Sequence, residues 1–196
     1  KKMLYQDGIK LPIVTTLHGT DITLVGSHPF YKTAVTFSIN HSDAVTSVSH
    51  SLKEDTQRLF KTKKDITVVP NFVDLNKYKS LGNQCPKGIL ARDDERVITH
   101  ISNFRNVKRI PDVIKIFNTI RKQIPSQLLM IGEGPERENA EKLCFDLKID
   151  NHVLFLGNSN EVDKILCFSD LFLLPSETES FGLSALEAMA SGVPVI

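Results

Sequence analysis

Two carboxylates, Glu179 and Glu187, stand seven residues apart in the run Glu179-Ser-Phe-Gly-Leu-Ser-Ala-Leu-Glu187. The first follows Leu173-Leu174-Pro175-Ser176, which reads as the end of a strand. Phe181 and Gly182 then open a helical pattern whose inner face is Leu183, Leu186 and Ala190. A helix N-terminus has unpaired N–H groups and the positive end of the helix dipole, so it suits a phosphate. A glycine there lets a ligand come close to the backbone. Both glutamates can accept hydrogen bonds from hydroxyl groups. The plainer alternative is a helix with a solvent-facing glutamate at each end, and the strand–loop–glycine–helix context favours the ligand.

A second cluster is Ser102-Asn103-Phe104-Arg105-Asn106-Val107-Lys108-Arg109, between an apolar run and a helical pattern. In open α/β sheets, such strand-end loops are where ligands bind. Arg105 and Lys108 can both neutralise a diphosphate, arginine as a bidentate fork and lysine as a point charge. Solvated charge ahead of a helix would look the same. A third cluster, Leu17-His18-Gly19-Thr20-Asp21, also follows a strand-like run. An isolated histidine is more often structural than catalytic, but this one lies where pockets form, and Thr20 is positioned to contact an acceptor or a phosphate. Gly132-Glu133-Gly134-Pro135 invites a dinucleotide reading. Pro135 and the missing third glycine spoil that pattern, so a tight strand-to-helix turn is expected. Gly157-Asn158 is either a simple turn or a backbone contact for a nucleobase.

These clusters need a scaffold of strands and helices. Short apolar runs occur at Ile13–Leu17, Ala44–Val48, Ile66–Val69, Val97–Ile101, Leu128–Ile131, Val153–Leu156, Leu171–Leu174 and Val193–Ile196. Their continuity predicts strands buried on both faces. Helical periodicity runs from Ile110 to Ile124, with Pro111 and Asp112 in the favoured first turn. Weaker helical patterns lie near Ser51–Phe60, Glu136–Leu147, Glu161–Phe168 and Leu183–Ala190. Strand–helix alternation predicts parallel sheets with right-handed crossovers. From Asn71 to Arg96 the alternation stops and Pro, Gly, Asn, Lys and Asp accumulate, as in a linker between two domains.

Composition narrows the function classes. Forty-one per cent of the 196 residues are hydrophobic and 24% charged, an ordinary globular balance. A net charge of +1 gives no basic stripe for nucleic acid. No apolar run approaches the roughly 20 residues that span a bilayer, and the first residues do not form a signal peptide. Cys85, Cys144 and Cys167 are expected to be free thiols in a reducing compartment, with no zinc site. The chain starts on lysine and stops within the apolar run Gly192–Ile196. It is expected to be the middle piece of a longer protein; the alternative is a short protein whose last strand lies at a sheet edge.

The stretches TTLHGTDIT, SDAVTSVSHSL, VVPNFVD, HISNFRNVKRIPDVI, MIGEGPE, VLFLGNSNEV and ESFGLSALEAMASGVPVI, in this order, cover nearly the whole chain. Together they resemble the retaining GT-B glycosyltransferases of the E-x7-E family. HGTD taken with SNFRNVKR is similar to the bacterial N-acetylglucosaminyl L-malate synthases of bacillithiol biosynthesis. The resemblance implies an α/β fold of two Rossmann-like domains, each only partly present. Residues 1–75 would be the C-terminal part of the acceptor-side domain, 76–95 a linker region, and 96–196 the N-terminal part of the nucleotide-sugar donor domain.

The implied activity is transfer of N-acetylglucosamine from UDP-N-acetylglucosamine to L-malate with retention, in the cytoplasm, by the longer parent; the piece alone is expected to be inactive. Glu187 would hold the ribose hydroxyls and Glu179 the sugar hydroxyls. The backbone at Phe181, Gly182 and Leu183, with Lys108 and Arg105, would stabilise the departing diphosphate. His18 would lie near the reactive centre and Thr20 at the acceptor. His18, Lys108 and Glu179 form the expected catalytic set. Many relatives have arginine where this chain has Asn103, and Arg105 would supply that charge. No metal, cofactor, nucleic-acid partner or membrane span is implied, and homo-oligomerisation is left open. The alternatives are a different acceptor, a UDP-sugar 2-epimerase of the same architecture, and an inactive nucleotide-binding fragment.

Overall fold

In the computed structural model, residues 11–20, 22, 28–78, 90–92 and 94–196 are described. Cys85 and most of the expected linker region lie outside them. The chain divides into two units. One runs to Asn71 and includes Glu179–Phe181, and the other comprises Phe72–Thr178 with Gly182–Ile196.

In the first unit, the apolar runs form strands β1 (Val14–Leu17), β2 (Ala44–Ser47) and β3 (Thr67–Val68). They pair in parallel in the order β1-β2-β3. Helix α2 (His50–Phe60) starts where Ser49 Oγ accepts the Leu52 N–H at 3.1 Å, and ends at Lys61 in the left-handed region. Its buried face is Leu52, Thr56 and Phe60, spaced four residues apart. Helix α1 (Pro29–His41) is not announced by periodicity. Only Ile39 is buried, whereas Phe30, Tyr31 and Phe37 are exposed. Its start is local: Pro29 lies in its first turn and His28 caps it.

The second unit contains β4 (Arg96–Ile101), α3 (Ile110–Arg121), β5 (Ser126–Ile131), α4 (Arg137–Asp146), β6 (Val153–Gly157), α5 (Val162–Phe168), β7 (Leu171–Phe172) and α6 (Leu183–Ala190). All four strands are parallel, in the order β6-β5-β4-β7. The chain therefore runs outward from β4 through β5 and β6, then returns to the other side of β4. Strands β4 and β5 are covered on both faces. Ile98, Leu128 and Met130 pack with Phe104, Val113 and Phe117, and Val97, Leu129 and Ile131 pack with Ala91 and Ile165. This is why these strands read as unbroken apolar runs. The expected strand at Val193–Ile196 is only a single parallel bridge between Phe172 and Val195, flanked by bonds from Phe172 N–H to Pro194 O and Ile196 N–H to Phe172 O.

The expectation of three free thiols is corrected. Cys144 is free and buried, and burial pushes its thiol up to about 11. Cys167 is disulfide-bonded.

Candidate functional site

The strand order of the second sheet reverses between β4 and β7. In open α/β sheets the loops on either side of such a reversal leave a crevice at the C-terminal strand ends. The loop after β4 carries Arg105 and Lys108, and the loop after β7 leads into α6 and Glu187.

The loop after β4 is held from beneath. Phe104 is fully buried, takes a positive φ of 31°, and stacks against His100 at 6.2 Å. His100 is itself buried on β4, with Nδ1 2.8 Å from Leu173 O and Nε2 2.8 Å from Ser102 Oγ. A carbonyl can only accept, so Nδ1 carries a proton toward Leu173, and in the neutral ring Nε2 then accepts from the Ser102 hydroxyl. Ser102 Oγ in turn accepts the Phe104 N–H at 3.3 Å. The relay ties the start of the β4 loop to the end of β7. Nothing in the sequence singles out His100, because it sits inside an apolar run.

The Gly132–Pro135 turn locks the same loop from the side. At Gly132, with φ 121°, an added Cβ would fall 1.8 Å from Ser102 O, and at Gly134 it would fall 2.1 Å from Asn103 O. Glu136 N–H donates to Phe104 O at 2.9 Å. The tight turn expected from the sequence is therefore also a backbone-to-backbone contact that only glycine allows.

The three cations of this loop have different placements. Arg109, in the left-handed region at the start of α3, donates from Nε to Asp112 at 2.6 Å and from Nη1 to Glu177 at 3.0 Å. Hydrogen bonds to Asp112 and then Glu177 hold its guanidinium above its ordinary value. Glu177 N–H also donates to Val107 O at 3.0 Å, so this group joins the two loops. Lys108 is half-buried in the short 3-10 turn Asn106–Lys108, and Arg105 is exposed at the head of that turn.

After β7, Ser176 Oγ is buried and has no hydrogen-bond partner among the described residues. Gly182, with φ 79°, caps α6 without a side-chain hydrogen bond. As a glycine, Gly182 offers no capping side chain to the N–H groups of the first turn of α6. Glu187 is half-buried on α6, and its Oε1 accepts from the Tyr78 hydroxyl at 2.8 Å. Tyr78 is buried against Leu166, Phe172 and Ala188. Burial, then the hydrogen bond and charge of Glu187, push its hydroxyl well above the ordinary value, so it stays a donor. Sequence reasoning assigned Tyr78 to the linker region and missed it.

The second unit thus holds Arg105, Lys108, Gly182, Leu183 and Glu187. The first holds His18, Thr20, Glu179 and Phe181. His18 and Thr20 follow the C-terminal end of β1 and are exposed, and Glu179 and Phe181 are half-buried. Among the described residues no group of three or more His, Cys, Asp or Glu side chains is placed to hold a metal ion, and no helix is long and apolar enough to cross a membrane.

Comparison with known proteins agrees with the architecture. Residues 84–196 match the family described as glycosyl transferases group 1, and residues 4–77 match glycosyltransferase family 4. A Bacillus anthracis protein named N-acetyl-alpha-D-glucosaminyl L-malate synthase is 48% identical over 190 residues, 96% of this chain and 50% of that protein. An uncharacterized glycosyltransferase of Methanocaldococcus jannaschii is 30% identical over 95% of this chain and 51% of its own length. Among solved structures, Anabaena HepE in complex with UDP and glucose has a TM-score of 0.74 at 22% identity, covering 94% of this chain and 52% of that one. WaaG, a glycosyltransferase involved in lipopolysaccharide biosynthesis, has a TM-score of 0.76 at 18% identity, covering 99% and 60%. The fold is that of the GT-B glycosyltransferases, and the chain spans about half the length of the curated relatives it matches.

Proposed function

The chain belongs to the group 1 glycosyl transferases, and from that premise we propose that the complete protein moves N-acetylglucosamine from UDP-N-acetylglucosamine to L-malate. The anomeric configuration is retained, and the reaction is the first step of bacillithiol biosynthesis in the cytoplasm. The first unit is the C-terminal part of an acceptor-side domain, and the second is the N-terminal part of the donor domain. The choice of donor sugar and acceptor is supported by the 48% identity to the relative named for that reaction.

The observation that carries the reading is the placement of a cationic loop and a glycine-capped helix start on adjacent strand ends at the reversal between β4 and β7. Breaking the glycosidic bond leaves growing negative charge on a diphosphate. Fixed cations and helix N–H groups stabilise that charge without reorganising, as an oxyanion hole does. Lys108 and Arg105 supply the cations, and the backbone of Phe181, Gly182 and Leu183 supplies the N–H groups. Glu187 holds the ribose hydroxyls and Glu179 the sugar hydroxyls. His18 lies at the reactive centre with Thr20 at the acceptor. The buried Ser176 hydroxyl, lacking a partner among the described residues, fits a loop completed by a ligand.

The test is UDP release from UDP-N-acetylglucosamine by the complete protein, with and without L-malate, and the anomeric configuration of the product by NMR. Malate-dependent release with the donor's configuration is expected. Release that depends on another acceptor would overturn the malate assignment, an inverted product the retention, and 2-epimerised donor the transfer reaction itself.

A further inference from the structure

The strongest feature that the proposed chemistry leaves unused is the buried Tyr78. It lies 109 residues before Glu187 in the chain, yet its hydroxyl donates to Glu187 Oε1 at 2.8 Å. We propose that Tyr78 is a positioning residue for the donor nucleotide, fixing the Glu187 carboxylate so that its remaining lone pairs meet the ribose hydroxyls. This rests on the ribose assignment made above.

Three observations carry it. Glu187 sits on α6, whose fully buried residues are the small side chains of Ala185 and Ala188. Those methyl groups fix the helix but not a glutamate side chain, which keeps its rotamer freedom unless a partner removes it. Tyr78 is that partner. Its ring is packed among Leu166, Phe172, Ala188 and Val193, so the hydroxyl is delivered from a rigid base. The approach of Tyr78 is itself anchored. Asp74 Oδ1 accepts the Asn76 N–H at 2.9 Å and Asp74 O accepts the Lys77 N–H at 3.0 Å, forming the turn ahead of the tyrosine. Lys77 Nζ lies 4.0 Å from Asp163 and 5.6 Å from the Tyr78 ring centroid.

The chemistry is consistent with a carboxylate shared between protein and ligand. Each carboxylate offers about four lone-pair sites. Tyr78 occupies one, on Oε1, which leaves enough to accept from two neighbouring hydroxyls. A hydroxyl that only donates here also orients the carboxylate plane. Preorganisation of this kind appears as tighter binding of the group that the carboxylate receives, not as tighter binding of the whole nucleotide.

The experiment is a ligand cycle on the complete protein, comparing UDP with 2′,3′-dideoxy-UDP by titration calorimetry. The wild type should prefer UDP. Tyr78→Phe keeps the ring and its packing, and half-buried Glu187 can turn to water, so the variant should fold. It should lose on the order of three- to tenfold of the UDP preference, while binding the dideoxy compound as before. In a Glu187→Ala background, Tyr78→Phe should change nothing further. A merely structural tyrosine would weaken both ligands equally and leave the preference intact, which would overturn the inference. A wild type with no preference for UDP over the dideoxy compound would instead overturn the ribose assignment of Glu187.

Discussion

The two ends of the second parallel sheet use similar residue types to opposite effect. At the N-terminal ends of the strands, Glu95 accepts from Arg92 N–H at 2.9 Å, from Arg92 Nη2 at 3.3 Å and from Gln127 Nε2 at 2.9 Å. Gln127 also lies 3.3 Å from His152 Nδ1, and Arg121 hydrogen-bonds the other ring nitrogen. A guanidinium can only donate, so His152 Nε2 accepts from Arg121 and Nδ1 carries the ring proton, while Arg121 Nε is buried without a partner among the described residues. At the C-terminal ends, the Arg109–Asp112–Glu177 cluster is closed in the same way. The N-cap of α6 is a glycine, Ser176 Oγ has no partner among the described residues, and Arg105 faces solvent. Both ends hold charge, so charge alone does not mark a site. A cationic loop beside a helix start at the reversal of the strand order does.

Five substitutions test this contrast. The largest effect is expected at Gly132→Ala. The new Cβ would meet Ser102 O in a backbone conformation that L residues avoid, so thermal unfolding should show a loss of roughly 3 kcal/mol or more. An unchanged melting temperature would mean that the two loops are not locked together. Next is Lys108→Ala, which should lower kcat by about a hundredfold and also weaken donor binding, because charge on the diphosphate grows in the transition state. A raised KM with unchanged kcat would reduce Lys108 to uniform binding. Arg105→Ala, on an exposed side chain, should be milder by the same kinetics.

At the paired end, Glu95→Ala should cost about 1–3 kcal/mol of stability by stranding Gln127 and the Arg92 N–H, with UDP affinity untouched. The pH dependence has a definite sign. The Arg92 N–H holds Glu95 below its ordinary 4.5, and burial, then the Arg121 charge, hold His152 below its ordinary 6.5. Both groups therefore contribute stability that is present above those ordinary values and is lost as pH falls through the lowered ones. Melting temperatures should decline on acidification below about pH 6.5, and His152→Gln should flatten the first part of that decline.

Much of the frame was legible because burial on both faces writes itself into sequence. The runs at Val97–Ile101 and Leu128–Ile131 lie within β4 and β5, and Leu183–Ala190 has the bounds of α6. The helical pattern from Ile110 overran its end. The helix stops at Arg121, and Ile124 is 48% exposed. Helix α1 was hidden for the opposite reason, since its aromatic residues face outward and leave no apolar stripe. Glu187 and the α6 start were legible as a local pattern. Tyr78 and His100 were not, because Glu187 and Leu173, which they bond, are distant in sequence and neither residue type signals such a partner.

The proposed function requires the C-terminal end of the second sheet to be the donor-nucleotide site, with Glu187 on the ribose. The most direct measurement is calorimetric titration of UDP into the complete protein as wild type, Glu187→Ala and Glu95→Ala. Losing a charge-assisted hydrogen-bond partner is worth about 1.5–3 kcal/mol, so Glu187→Ala should bind UDP roughly ten- to a hundredfold more weakly while Glu95→Ala matches the wild type. Equal UDP affinity for wild type and Glu187→Ala, or a loss confined to Glu95→Ala, would contradict the account.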